Sequence, residues 1–112
     1  MRDVHYYAGH AAAELGRDDD AVQHYQAELD AFPEHVRSRA ALAAIYHRSG
    51  RQDEAFAAVS AITAVSPTPD AYKAAARLWE SFGEARKAAE TRAEARRLSL
   101  DKTAGSFQTT RR

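Results

Sequence analysis

The 112-residue sequence predicts an all-α protein, a stacked-repeat solenoid of three antiparallel helix hairpins. Three observations carry this expectation. Punctuating residues return after one hairpin's length: Gly16 and Gly50, Ala21 and Ala55, Tyr25 and Val59, and Pro33 and Pro67 each stand 34 positions apart. Gly83 and Ala88 then follow Gly50 and Ala55 after 33. Small and larger apolar residues also recur together, as Ala8/Gly9/Ala12, Leu42/Ala43/Tyr46 and Ala75/Ala76/Trp79. Their i, i+1, i+4 spacing puts a small residue beside a larger one on one helical face, where two helices can approach closely. No alternating apolar run offers a strand.

Each element has its own start and stop. The first helix spans about Asp3 to Leu15 and ends at Gly16, the residue that most easily turns left-handed after a helix. Asp18-Asp19-Asp20 opens the second, where carboxylates accept orphan N–H groups and suit the positive dipole end. Pro33 closes it, because the residue before a proline is kept out of the helical region. The second hairpin repeats this logic with a helix from about Glu34 to Arg48, a stop at Gly50, a cap at Asp53 and a terminator at Pro67. The third starts on Thr68-Pro69-Asp70, which supplies a cap, a proline at the first helical position and a carboxylate in the first turn. That helix reaches about Phe82 and stops at Gly83; the last, about Glu84 to Leu100, has no closing proline. Tyr46 and Trp79 are expected in the core. Residues 101–112 lose the periodicity and read as a disordered tail, in which Phe107 and Arg111-Arg112 are the candidates for a short linear motif.

Composition narrows the function classes. Sixteen basic and sixteen acidic residues cancel, whereas a chain that neutralises several phosphates carries a basic excess, so no nucleic-acid partner is expected. The absence of cysteine removes disulfides, zinc-thiolate sites and thiol nucleophiles together. An apolar fraction of 45% with a mean hydropathy of −0.60 means that much of that fraction is alanine, which favours close-packed helices. No stretch approaches the roughly 20 apolar residues that span a bilayer, and Met1 to His5 carries no apolar signal region. No membrane partner and a cytoplasmic location are therefore expected. The wealth of alanine and arginine fits a GC-rich bacterial genome.

These residues resemble tetratricopeptide repeats (TPR). The first copy, residues 2–35, supplies Gly9, Gly16, Ala21, Tyr25, Leu29 and Pro33. The second, residues 36–68, supplies Leu42, Ala43, Tyr46, Gly50, Ala55 and Pro67; the third, residues 69–102, supplies Tyr72, Ala76, Trp79, Gly83, Ala88 and Ala95. The resemblance covers about the first hundred residues. It implies one TPR-like domain over residues 1–100, a right-handed superhelical solenoid used as a non-enzymatic protein–protein interaction module or scaffold. Arg92 stands where the family has an aromatic, Arg96 fills a usually apolar slot, and Leu100 replaces the terminal proline. A polar last helix is what a solenoid needs at an end facing water. At the other end Val4, Tyr7, Ala11 and Leu15 form a stripe with no earlier helix to cover it, an expected assembly surface for a homodimer or a longer array.

The family binds peptides in a concave groove lined by the first helix of each hairpin. Carried onto this chain, the resemblance implies contacts from Tyr6, His10, Arg37, His47, Lys73 and Arg77. Basic residues gather in the middle and last parts of that face, which points to an acidic or amphipathic peptide. Chaperone-binding members grip a terminal carboxylate with Lys, Asn and Arg, but the matching positions hold Tyr6, His10, Ala41, Asp70 and Ala74, so that activity is not expected. His5 and His10 are five apart, unlike the i, i+4 pairs that chelate, and Asp18-Asp19-Asp20 lacks the alternate spacing of a calcium loop. No nucleophile motif or phosphate-cradling loop is present. The expectation is therefore no catalytic residues, no metal and no cofactor. The alternative is an accessory carboxy-terminal domain of a larger enzyme or assembly, used for substrate positioning or oligomerisation.

Overall fold

The computed structural model describes the backbone of residues 2–110 and the side chains of residues 2–101. Six helices follow one another: α1 Val4–Glu14, α2 Asp18–Ala31, α3 Val36–Arg48, α4 Gln52–Val65, α5 Pro69–Ser81 and α6 Ala85–Thr110. Among the described residues there is no strand, and no helix is long and apolar enough to cross a membrane.

The three hairpin turns are built alike. Gly16, Gly50 and Gly83 have φ of 77°, 78° and 81°, the left-handed region where a Cβ is penalised. After each glycine the next N–H reaches five residues back: Arg17 to the Ala12 carbonyl at 2.9 Å, Arg51 to Tyr46 at 2.8 Å and Glu84 to Trp79 at 2.8 Å. This is a Schellman closure, made three times, and it satisfies carbonyls that the helix end leaves bare.

That turn also corrects the expected caps of α2 and α4. Only one residue separates the glycine from the helix, so the N-caps are Arg17 and Arg51, and neither makes a side-chain cap bond. Asp18, Asp19, Asp20 and Asp53 already lie in the first helical turn, where they act on the dipole instead. At α5 the expected start holds: Thr68 Oγ1 accepts the Ala71 N–H at 3.2 Å, and Pro69 is the first helical residue. α6 continues to Thr110, past the expected end at Leu100. No proline follows Leu100, so nothing interrupts the backbone ladder through this part of the expected tail. The Phe107 side chain and Arg111-Arg112, the candidate tail motif, lie outside the described residues.

Within each hairpin the two helices pack together, and neighbouring hairpins meet through α1–α3, α2–α3, α3–α5 and α4–α5; among the described residues α1 and α2 make no packing contact with α5 or α6. The core follows the same division. One cluster centres on Tyr25, Leu42, Ile45 and Tyr46, the other on Val59, Ile62, Ala75 and Trp79, and Phe56 and Phe82 border both. Tyr46 and Trp79 are buried, as expected.

Ser38 is fully buried, and its Oγ has no partner among the described residues. Ala71 fills the same place 33 residues later. An unpaired buried hydroxyl costs about 1–3 kcal/mol, so Ser38→Ala is expected to raise the melting temperature. A lower melting temperature would mean that the hydroxyl is hydrated in solution.

Candidate functional site

The repeat breaks at residue 28. Ile62 and Ala95 occupy the equivalent core positions, 34 and then 33 residues on, yet Glu28 is a fully buried carboxylate. Its Oε2 accepts the Asp3 N–H at 2.9 Å, and its Oε1 accepts those of His5 at 3.1 Å and Tyr6 at 3.3 Å. Asp3, the N-cap of α1, sits at φ 73° and gives no side-chain cap bond. Glu28 therefore satisfies the orphan donors of α1 from the neighbouring helix, with its charge at the positive dipole end. The Asp3 carboxylate turns instead to His35 Nε2. Across that ring, Nδ1 accepts the Ser38 N–H at 3.1 Å and caps α3. An accepting Nδ1 places the proton on Nε2, which donates to Asp3 Oδ1.

Asp3, Glu28 and His35 bring one donor atom each within 4.8 Å of one another, a spacing that a metal could bridge. Those atoms are already committed. Both Glu28 oxygens face backbone N–H groups, as does His35 Nδ1, and a cation among them would meet the positive ends of the same dipoles. The cluster ties the start of α1 to the start of α3.

This arrangement sets an acid limit on stability. The hydrogen bond from His35 holds the Asp3 carboxyl below its ordinary 3.8, with Arg37 and Arg2 adding to it. Burial alone would push Glu28 up, but its three backbone donors outweigh that and bring it below its ordinary 4.5. Carboxyls lowered on folding stabilise above their unfolded values, and that stability is lost as pH falls through the folded ones. Melting should therefore weaken as pH falls below 4.5 and 3.8. Glu28→Gln should be less stable at neutral pH and show a flatter acid slope. Parallel curves for the two proteins would remove Glu28 from the account.

The six expected contact residues fall in three places. Tyr6 is half-buried against Tyr25 and His35, with ring centroids at 5.8 and 5.5 Å. Arg37 lies 4.4 Å from the Tyr6 ring centroid and 5.7 Å from that of Tyr7. Tyr7 and Tyr6 beside it hold its guanidinium more firmly protonated than usual, and by lying over both rings Arg37 bridges α1 and α3. His10 stacks on Tyr6 and pairs with Glu14 at 3.1 Å. It lines a cavity of about 270 Å³ between α1 and α3, together with Ala41, Ala44 and Arg48, and that arginine is paired with Asp18. His47 stacks on Phe82 at 4.1 Å and bonds Gln52 at 2.9 Å. Lys73 and Arg77 instead line a second cavity of about 270 Å³, shared with Arg92, Ala95 and Arg96 of α6.

Nothing in the sequence joins Asp3, Glu28 and His35; the one signal there is a glutamate in an otherwise apolar repeat slot. Arg92 and Arg96 stand out in the sequence by occupying aromatic and apolar slots, but nothing there connects them to Lys73 and Arg77. No family model matches this chain, and comparison with curated proteins found no match.

Proposed function

We propose that this chain is a non-enzymatic protein–protein interaction module, a right-handed TPR-like solenoid that holds a peptide segment of a partner along α1, α3 and α5. The observation that supports it best is the threefold hairpin turn combined with packing between neighbouring hairpins alone. That is the behaviour of a repeat array, whose extended face is its binding surface. Tyr6, His10, Arg37, His47, Lys73 and Arg77 are the proposed contacts, and an acidic or amphipathic peptide is the proposed ligand class.

Arg37 is a poor test residue because its reversal would also cut α1 from α3. Ala44 is exposed and lines the α1–α3 cavity, so Ala44→Glu adds a repelling charge without disturbing the core. Selection from a displayed random-peptide library should enrich acidic sequences that bind the wild type and lose affinity for Ala44→Glu. No enrichment, or equal binding to both proteins, would defeat the proposal.

A second reading rests on the amino edge. Val4, Tyr7 and Leu15 are 48, 57 and 72% exposed, and Ala11 is exposed with them. Val4 and Leu15 stand 67 residues before Ala71 and Phe82, through which α5 and its C-cap pack on the preceding hairpin. This stripe would serve an assembly, as a homodimer or as the end of a larger enzyme or array. Sedimentation over a concentration series should show self-association that Leu15→Glu abolishes; a monomer at every concentration would exclude the homodimer.

A further inference from the structure

Each hairpin presents a groove between its two helices, and this chain fills two of the three itself. In the first, Tyr6, Tyr25 and Leu29 meet Leu42 and Ile45 of α3. In the second, Ala40, Val59 and Ile62 meet Ala71 and Ala75 of α5. The equivalent positions of the third hairpin, 33 residues after Ala40, Val59 and Ile62, are Lys73, Arg92 and Ala95. They line the open α5–α6 cavity together with Arg77 and Arg96. No helix of the described chain lies over it.

The chemistry of this groove differs from that of a surface that merely faces water. Its floor is the buried Ala95, and every charged residue lining it is a cation. Arg92 pairs with Glu80 at 2.6 Å, while Lys73, Arg77 and Arg96 form no ion pair among the described residues. A solvated end needs polar residues of either sign, and this chain as a whole is neutral. Local cationic excess therefore marks one kind of complement. Carboxylates suit it, because a guanidinium can hold one through two parallel bonds.

We propose that the α5–α6 groove docks an acidic amphipathic helix of a partner protein, seated as α3 and α5 are seated on the hairpins before them. α5 makes its approach to Val59 and Ile62 through Ala71 and Ala75. The docked helix likewise turns a stripe of small residues to Ala95 and places flanking carboxylates against Lys73, Arg77 and Arg96. Lys73 and Arg77 are also among the peptide contacts proposed above, whereas Arg92 and Arg96 are not, so a substitution at Arg96 tests this groove apart from that face.

The probe is a capped synthetic helix with an alanine stripe flanked by glutamates, titrated against the whole chain by fluorescence anisotropy. Binding should weaken with added salt and fall by roughly fivefold or more in Arg96→Glu, where attraction becomes repulsion. Ala44→Glu should leave it unchanged. Arg96 is exposed, and circular dichroism would establish that the fold is kept. The proposal is overturned by absent binding, by equal binding to Arg96→Glu, or by equal binding of a scrambled peptide of the same composition. Loss in Ala44→Glu alone would move the peptide to the α1–α3 face and overturn it as well.

Discussion

Replacing Trp79 with alanine should destabilise the protein by about 3–5 kcal/mol, the range for losing a large buried aromatic. Trp79 is 7% exposed and meets Phe56 edge-on at 5.1 Å and 85°, and Phe82 at 6.4 Å and 90°. Four of its cluster partners, Ala43, Ala71, Ala75 and Ala88, are alanines and cannot swing into the space it would leave. Phe82 also stacks on His47, so the loss spreads to the contact between α3 and α5. Against a total stability of roughly 5–15 kcal/mol, the variant loses a large share and could fail to fold at body temperature. Urea unfolding of both proteins measures this. A loss below about 1 kcal/mol would mean that Trp79 is not packed as described.

Gly9→Ala should also destabilise, against the usual direction. Within a helix, alanine is favoured over glycine by about 1 kcal/mol. Here a Cβ would stand 2.7 Å from Tyr25 Cε1 and 2.8 Å from Cδ1. Tyr25 is buried and held by Tyr6 at 5.8 Å, so the ring has little room to retreat. Overpacking costs about 1–3 kcal/mol and outweighs the propensity gain. The second hairpin indicates the remedy, since Ala43 packs in one cluster with Val59, the counterpart of Tyr25. Pairing Gly9→Ala with Tyr25→Val should therefore cost less than the two single changes summed. Additive losses in a double-mutant cycle would show that the clash is not the cause.

Much of this architecture was legible because the repeat signals are local. Gly16, Gly50 and Gly83 each fix a turn by their own backbone freedom, and Thr68-Pro69 starts a helix without help from elsewhere in the chain. Asp18 to Asp20 and Asp53 lie inside the first turn instead of capping it because the turn before them shortens the lead into the helix by one residue, a geometric fact with no compositional trace. The link between Glu28 and α1 joins residues up to 25 apart, and His35 reaches Asp3 across 32. Only packing reveals such partners. Arg37 shows the same limit: its charge was visible, but its place over Tyr6 and Tyr7 depends on how α3 lies along α1. Lys73, Arg77, Arg92 and Arg96 form one cationic groove only because α5 and α6 lie side by side.

The central claim is that the exposed face of α1, α3 and α5 is a peptide-binding surface. Amide chemical-shift mapping of the isotopically labelled chain, titrated with the tightest peptide from the library selection, tests it most directly. The account predicts shifts confined to α1, α3 and α5, with the outer faces of α2 and α4 silent. Shifts centred on α2 and α4, or none at saturating peptide, would contradict it.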